Sequence, residues 1–411
     1  MASGKPRSLL RTLGPGLLVA ATGVGAGDLA TGAFSGSVLG TTVLWAVVVG
    51  ALLKFVLSEG LARFQLASGE TVLEGGLRRA PLPVRWLFLL YLLPWSWFTG
   101  IALISACGVT AQAVLPLAED PDRGKLLWGG LHAVVGLLLV LRGGYALFER
   151  AMSVSIGVMF VTVLWTALAL GVDGEAVLRG LLLPSRPANP EELAWTVALI
   201  GGVGGTLTLL CYGYWIREEG RSSPADLGAC RVDLAVGFGA TALFGLAMVL
   251  IGSQVEVEGK GSGLIVNLGA ALGERLGPVA RWAFLIGAWG AVFSSLLGVW
   301  QAVPYVFADF WRWSRRTAPG APVDVRGAPY RLYLLALALV PLLGLGTSFK
   351  DAQRAYAVVG AGFLPLLALV LLVLNRRAVV GEAHASRWPG ILGLVATLAF
   401  FVVAGWFKLA G

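Results

Sequence analysis

Long apolar runs, cut by short polar or proline-rich turns, dominate the chain. With about 20 apolar residues needed to cross a bilayer as helix, they predict about eleven spans, at roughly 14–38, 41–66, 84–116, 126–143, 151–171, 193–219, 229–252, 277–308, 330–347, 352–375 and 388–409. The runs are continuous rather than alternating, so a barrel of short strands is excluded. Composition agrees: charged residues are 13% of 411 and mean hydropathy is +0.80, whereas a soluble globule carries about a quarter charged residues. The 57 glycines suit helices that pack backbone to backbone in lipid. The fold class predicted is an all-α polytopic membrane protein forming one transmembrane unit over 1–411.

Two of the spans are interrupted. The first reads GPGLLVAATGVGAGDLATGAFSG and the sixth TVALIGGVGGTLTLLCYGYWIREEG, each broken near its middle by glycine with polar residues beyond. Glycine-interrupted spans at corresponding positions point to inverted repeats with a binding site between them, here about 14–171 and about 193–375, with 388–409 as an extra helix. The breaks are predicted at Gly25–Gly27 and Cys211–Gly213. Asp28 directly follows the first, and a carboxylate inside a membrane is costly enough to imply function. Lys54, in the second span, must pair, deprotonate or snorkel. Glu59 and Arg63 are spaced as an i,i+4 bridge. Lys54, Glu59, Arg217 and Glu218 are the gate or coupling candidates, and Arg231 and Asp233 stand close enough in sequence to join the Arg217–Glu219 cluster.

The stretch GPGLLVAATGVGAGDLATGAFSGSVLGTTVLWAVVVGALLKFVLSEGLARFQLASGE resembles the first two spans of the Nramp family of divalent-metal transporters. Gly14, Pro15, Gly16, Ala30, Thr31, Gly40, Leu44, Trp45, Ala62, Arg63, Ser68 and Gly69 carry the likeness, and weaker echoes run through the seventh, eighth and tenth spans. The resemblance implies a leucine-transporter-type fold, two inverted five-helix repeats with helices one and six broken, and metal transport by alternating access. Where the family has Asp-Pro-Gly-Asn, this chain has Gly25-Ala26-Gly27-Asp28. Where it has Met-Pro-His, the matching residues are Cys211-Tyr212-Gly213. The acidic positions of the third helix fall at Gly100 and Leu103, which cannot carry protons, so little proton cotransport is expected.

The remaining donors decide the cargo. Asp28, with freed carbonyls and the hydroxyls of Thr22, Thr206, Tyr212 or Tyr214, makes an oxygen-rich shell suited to Mg²⁺ or Ca²⁺; Cys211 as thiolate would suit Mn²⁺. Glycine at 25 and 213 is expected to add space. The metal candidates are therefore Asp28 and Cys211, and the substrate-binding set Gly25, Ala26, Gly27, Asp28, Cys211, Tyr212, Gly213 and Tyr214. The same Gly-x-Gly break also resembles that of amino-acid transporters of this fold, leaving a small organic solute as the alternative. No motif calls for a resident cofactor, and nothing outside the spans resembles an enzyme's site.

Net charge is +8, but the basic residues are spread through short loops, which argues for topology rather than nucleic-acid binding. Nineteen Lys and Arg fall on the N-terminal side of the membrane and ten opposite, so the N-terminus is expected in the cytoplasm and the C-terminus outside, in a plasma (inner) membrane. MASGKPRSLLR reads as a cytoplasmic tail rather than a cleaved signal. The expected partners are the lipid bilayer and a small cargo; oligomeric state is left open, a monomer being compatible. Three cysteines form no disulfide framework, and His132 and His384 lie too far from the breaks to act as ligands.

Overall fold

The computed structural model describes residues 25–142, 145–171, 173–254, 261–314 and 323–410. The first half of the first span, with Gly14–Gly16 and Thr22, lies outside them. Seventeen α-helices are described, and no strand is present among the described residues. They are α1 (Gly32–Leu39), α2 (Leu44–Ser68), α3 (Val72–Arg79), α4 (Leu82–Val114), α5 (Pro121–Arg142), α6 (Tyr145–Ala169), α7 (Gly174–Leu182), α8 (Pro190–Gly202) and α9 (Cys211–Glu218). Beyond them come α10 (Leu227–Gly252), α11 (Leu264–Leu276), α12 (Pro278–Ser314), α13 (Ala328–Leu339), α14 (Phe349–Ala361), α15 (Phe363–Leu374), α16 (Arg377–Val380) and α17 (Trp388–Ala410).

Eight helical stretches among the described residues are long and apolar enough to cross a membrane, and they coincide with the apolar runs of the sequence. The stretch Gly27–Ser68 covers the second half of the first predicted span and all of the second. These are separated by a turn at Gly40–Val43, where Gly40 takes φ 62°. The fifth run differs from expectation: Ile156–Ala169 bends by 115° into Gly174–Leu182, so the segment expected to be loop carries an apolar helix started by the Asp173 cap on Glu175 N–H. The ninth run is a shorter apolar helix, Ala328–Gly344.

Local chemistry sets the boundaries. Asn189 caps α8 through the Glu192 N–H with Pro190 in the first turn, and Ser348 caps α14 through Asp351 N–H, satisfying donors that would otherwise be orphaned. Gly69 ends α2 in left-handed backbone at φ 72°, its N–H returning to Gln65 O at 2.8 Å. Thr71 and Glu74 then form a capping box that starts α3. The sixth span is the most enclosed and the last, at Trp388–Gly405, the least, its apolar side chains facing outward where lipid would lie. The centre is built by close backbone approach: a Cβ at Gly36 would fall 2.2 Å from Val249 O and one at Gly252 2.2 Å from Ala33 O. Only glycine lets α1 and α10 meet so closely.

Candidate functional site

The first and sixth spans meet in the middle of the bundle. In the first, the described residues begin at Gly25, whose backbone is not helical (φ −74°, ψ −114°), and Ala26–Thr31 form a π-helical turn that carries Asp28. In the sixth, α8 stops at Gly202; Gly204 and Gly205 take φ 79° and 81°, a region that only glycine enters without strain. A 3₁₀ turn, Leu207–Leu210, leads into α9.

This corrects one expectation. The sixth span is interrupted at Val203–Thr206, not at Cys211–Gly213, whose backbone is helical. The physical reason is φ: the glycine pair at 204–205 supplies the left-handed conformations, while Gly213 is a helical glycine that admits a neighbour.

Asp28 is fully buried. Its Oδ1 accepts the Gly204 N–H at 2.7 Å, and its Oδ2 has no hydrogen-bond partner among the described residues. Lys54 is equally buried and does not snorkel. Its Nζ donates to the Gly201 carbonyl at 2.8 Å and to the Val203 carbonyl. Val203 C=O and Gly204 N–H belong to one peptide group, whose oxygen and hydrogen point in opposite directions. The ammonium and the carboxylate therefore clamp a single peptide of the break from its two sides.

Neighbouring spans buttress this arrangement. Trp95 Nε1 donates to Thr206 Oγ1 at 3.0 Å, and a Cβ at Gly27 would come to 2.7 Å from Gly202 O and 3.7 Å from the Tyr356 hydroxyl. Gly25 and Gly213 leave no room, contrary to expectation: a Cβ at Gly25 would lie 2.1 Å from Ser295 Oγ and one at Gly213 2.3 Å from Gln65 Oε1. The volume freed by small residues is taken up by side chains of the eighth and second spans. Gln65 Nε2 also donates to Gly213 O, so α2 grips both sides of the sixth-span break. Sequence reasoning missed Gln65; the signal is a polar stripe at Lys54, Ser58 and Gln65, four and eleven residues apart on one helical face.

The other candidates are distributed differently. Tyr212 donates to Asp233 Oδ2 at 3.0 Å, and Tyr214 to Asp309 Oδ2 at 2.8 Å. Cys211 is buried at the start of α9, with its thiol free of any disulfide. No group of three His, Cys, Asp or Glu able to hold a metal is found among the described residues, so Asp28 and Cys211 belong to no such cluster. Glu59 pairs with Arg63 at 2.6 Å, as the spacing predicts, and also with Arg231 at 2.8 Å. Arg217 donates to Gly69 O at 3.2 Å and Glu218 accepts from Tyr305 at 3.5 Å. Asp233 pairs with Arg221 at 3.0 Å. His132 is held between Trp128 O at 2.7 Å and Trp289 Nε1 at 2.8 Å, consistent with a structural role.

A helical bundle whose sixth span breaks beside a buried carboxylate of the first is in keeping with leucine-transporter-type membrane transporters. The chain belongs to one family of them: residues 16–410 match the natural resistance-associated macrophage protein-like family, Nramp. A divalent metal cation transporter of Burkholderia ambifaria is 25% identical, over 97% of this chain and 88% of its own. An uncharacterized protein of Pasteurella multocida is 23% identical, over 97% and 94%. Among solved structures, a mutant of the Eremococcus coleocola manganese transporter superposes with TM-score 0.74 at 15% identity, covering 100% of this chain and 90% of that one. MhsT in complex with L-phenylalanine gives TM-score 0.65 at 16% identity, over 97% and 98%. The chain is accordingly an integral membrane transporter rather than an enzyme.

Proposed function

We propose that this protein is a secondary transporter that carries a divalent cation by alternating access, with Asp28 as its charged ligand. The observation that carries the reading is the fully buried Asp28, seated at the sixth-span break with Oδ1 on Gly204 N–H and Oδ2 unpartnered among the described residues. A carboxylate oxygen left unpaired in a low-dielectric interior is costly, and a cation is the partner that removes the cost. Relatives named as divalent metal cation transporters support the same cargo.

The donor that the structure leaves open is a hard oxygen, Asp28 Oδ2. Such a donor favours Mg²⁺ or a partly hydrated ion over soft metals, and affinity is weak because only one carboxylate contributes charge. The transport unit is two inverted repeats, about 14–171 and 193–375, followed by the helix at 388–409. It lies in the plasma (inner) membrane with the N-terminus inside and the C-terminus outside.

Uptake into proteoliposomes, with Mg²⁺, Mn²⁺, Ca²⁺ and a panel of amino acids and small amines, tests the reading. Saturable divalent uptake that disappears in Asp28→Ala is expected. Saturable uptake of an amino acid or amine, without divalent uptake, would overturn it.

A further inference from the structure

Lys54 does something the proposed cargo reading does not require. The carbonyl end of a broken half-helix carries partial negative charge and unsatisfied oxygens, and in transporters of this architecture freed carbonyls are where inorganic cations coordinate. Here the carbonyl end of α8 offers Gly201 O and Val203 O, and the Lys54 ammonium donates to both. We infer that Lys54 is a tethered cation, occupying the carbonyl end of the sixth-span break that would otherwise hold a free inorganic cation.

Three features support a charge-replacing role over simple capping. Lys54 is fully buried although its stem is long enough to snorkel. An amide, with two N–H donors, would satisfy two carbonyls without the cost of burying a charge. The nearest carboxylate, Asp28, is not in direct contact with it: the two act on opposite ends of the Val203–Gly204 peptide. The positive charge thus sits at the half-helix end, while Asp28 Oδ2 has no hydrogen-bond partner among the described residues. A permanently attached cation needs no co-ion from solution, so the wild-type protein binds no Na⁺ or K⁺ at this break.

The test is thermal unfolding of the full chain in lipid nanodiscs, with Na⁺, K⁺, Mg²⁺ and Mn²⁺ titrated against choline. Lys54→Met keeps an unbranched stem, one atom shorter, and removes the charge. It is expected to gain stabilisation by at least one of these cations, with apparent affinity at least about tenfold tighter than in the wild type. Lys54→Arg, which keeps the charge, should behave as the wild type. A purely structural lysine predicts loss in both variants and gain in neither.

No gain in Lys54→Met for any of the four ions, or an equal gain in Lys54→Arg, would overturn the inference. The wild type supplies a second arm that depends on no variant's folding: exchanging choline for Na⁺ or K⁺ should leave its unfolding midpoint in place, and a saturable shift would refute the assignment. The Na⁺ and K⁺ arms involve no cargo, so absence of divalent uptake would sink the transport reading while leaving this one standing.

Discussion

Two polar regions of the bundle are equally buried and oppositely finished. At the sixth-span break, Asp28 and Lys54 spend their hydrogen bonds on backbone, and one carboxylate oxygen stays unpaired among the described residues. At the end where α2 stops, Asp309 is saturated. Its Oδ2 accepts from Thr71 at 3.1 Å and Tyr214 at 2.8 Å, and its Oδ1 from Arg312 at 2.6 Å. Arg312 also holds Glu74 at 2.5 Å. This cluster ties α9 to α3 and α12, that is, the second half of the broken sixth span to its surroundings. The contrast separates two uses of buried charge. A saturated network fixes one arrangement, whereas an unsaturated one retains capacity for something that comes and goes.

The sharpest way to break the comparison is at Asp309. Asp309→Ala takes one carboxylate away from Arg312 and strips Tyr214 and Thr71 of an acceptor. Removing one partner of such a buried group costs about 3 kcal/mol or more. The unfolding midpoint should fall, and the buried thiols Cys211 and Cys230 should react faster with a membrane-permeant maleimide as α9 loosens. Unchanged labelling and midpoint would mean that the network does not hold the sixth span.

Asp28→Asn comes next and is directed at function rather than stability. The amide oxygen can keep the Gly204 N–H bond while the charge is lost, so the fold should survive. Divalent affinity should fall at least about 100-fold, worth about 3 kcal/mol, as read by calorimetry. A variant that binds Mg²⁺ or Mn²⁺ as well as the wild type would place the cargo away from Asp28.

The same contrast governs how much was legible in the sequence. Asp28 was readable because a carboxylate beside three small residues has no ordinary reason to sit in a span. The Glu59–Arg63 bridge was readable from spacing alone. The sixth-span break was misplaced because Cys211-Tyr212-Gly213 was matched to a motif, while the conformational demand for positive φ falls on Gly204 and Gly205. From sequence Lys54 must pair, deprotonate or snorkel, and nothing there chooses among the three, since its partners are backbone carbonyls 147 and 149 residues away, and carbonyls leave no mark on sequence. The Asp309 network went unseen for a related reason: its members come from three helices and each alone resembles an ordinary helix-end charge.

Gly25 offers a smaller perturbation at the edge of the unsaturated site. A Cβ there would meet Ser295 Oγ at 2.1 Å, Ser295 Cβ at 2.6 Å and Ala291 O at 2.8 Å. The last contact is with backbone and cannot swing away. Gly25→Ala should cost about 1–3 kcal/mol as overpacking, measured as a loss in unfolding midpoint, and Ser295→Gly should recover part of it. Placing an Asp at this position to mimic relatives should fail for the same reason unless Ser295 is also reduced. Full stability of Gly25→Ala alone would show that the first and eighth spans are not in contact here.

The smallest effect is expected at Arg231, which has the same kind of carboxylate partner as the saturated network but not its surroundings. Its guanidinium reaches Glu59 at 2.8 Å with the arginine side chain 50% exposed. Glu59 keeps Arg63 at 2.6 Å from its own helix when Arg231 is removed. Water screens the lost pair and the carboxylate is not orphaned, so Arg231→Ala should change stability by no more than about 1 kcal/mol, and by less in high salt. The double variant Arg231→Ala with Arg63→Ala should cost clearly more than the two single changes added together, because only then is the half-enclosed Glu59 left without a cation. Strict additivity would mean that burial of Glu59 is too slight to matter, and the distinction between saturated and spare charge would then stop at the membrane interior.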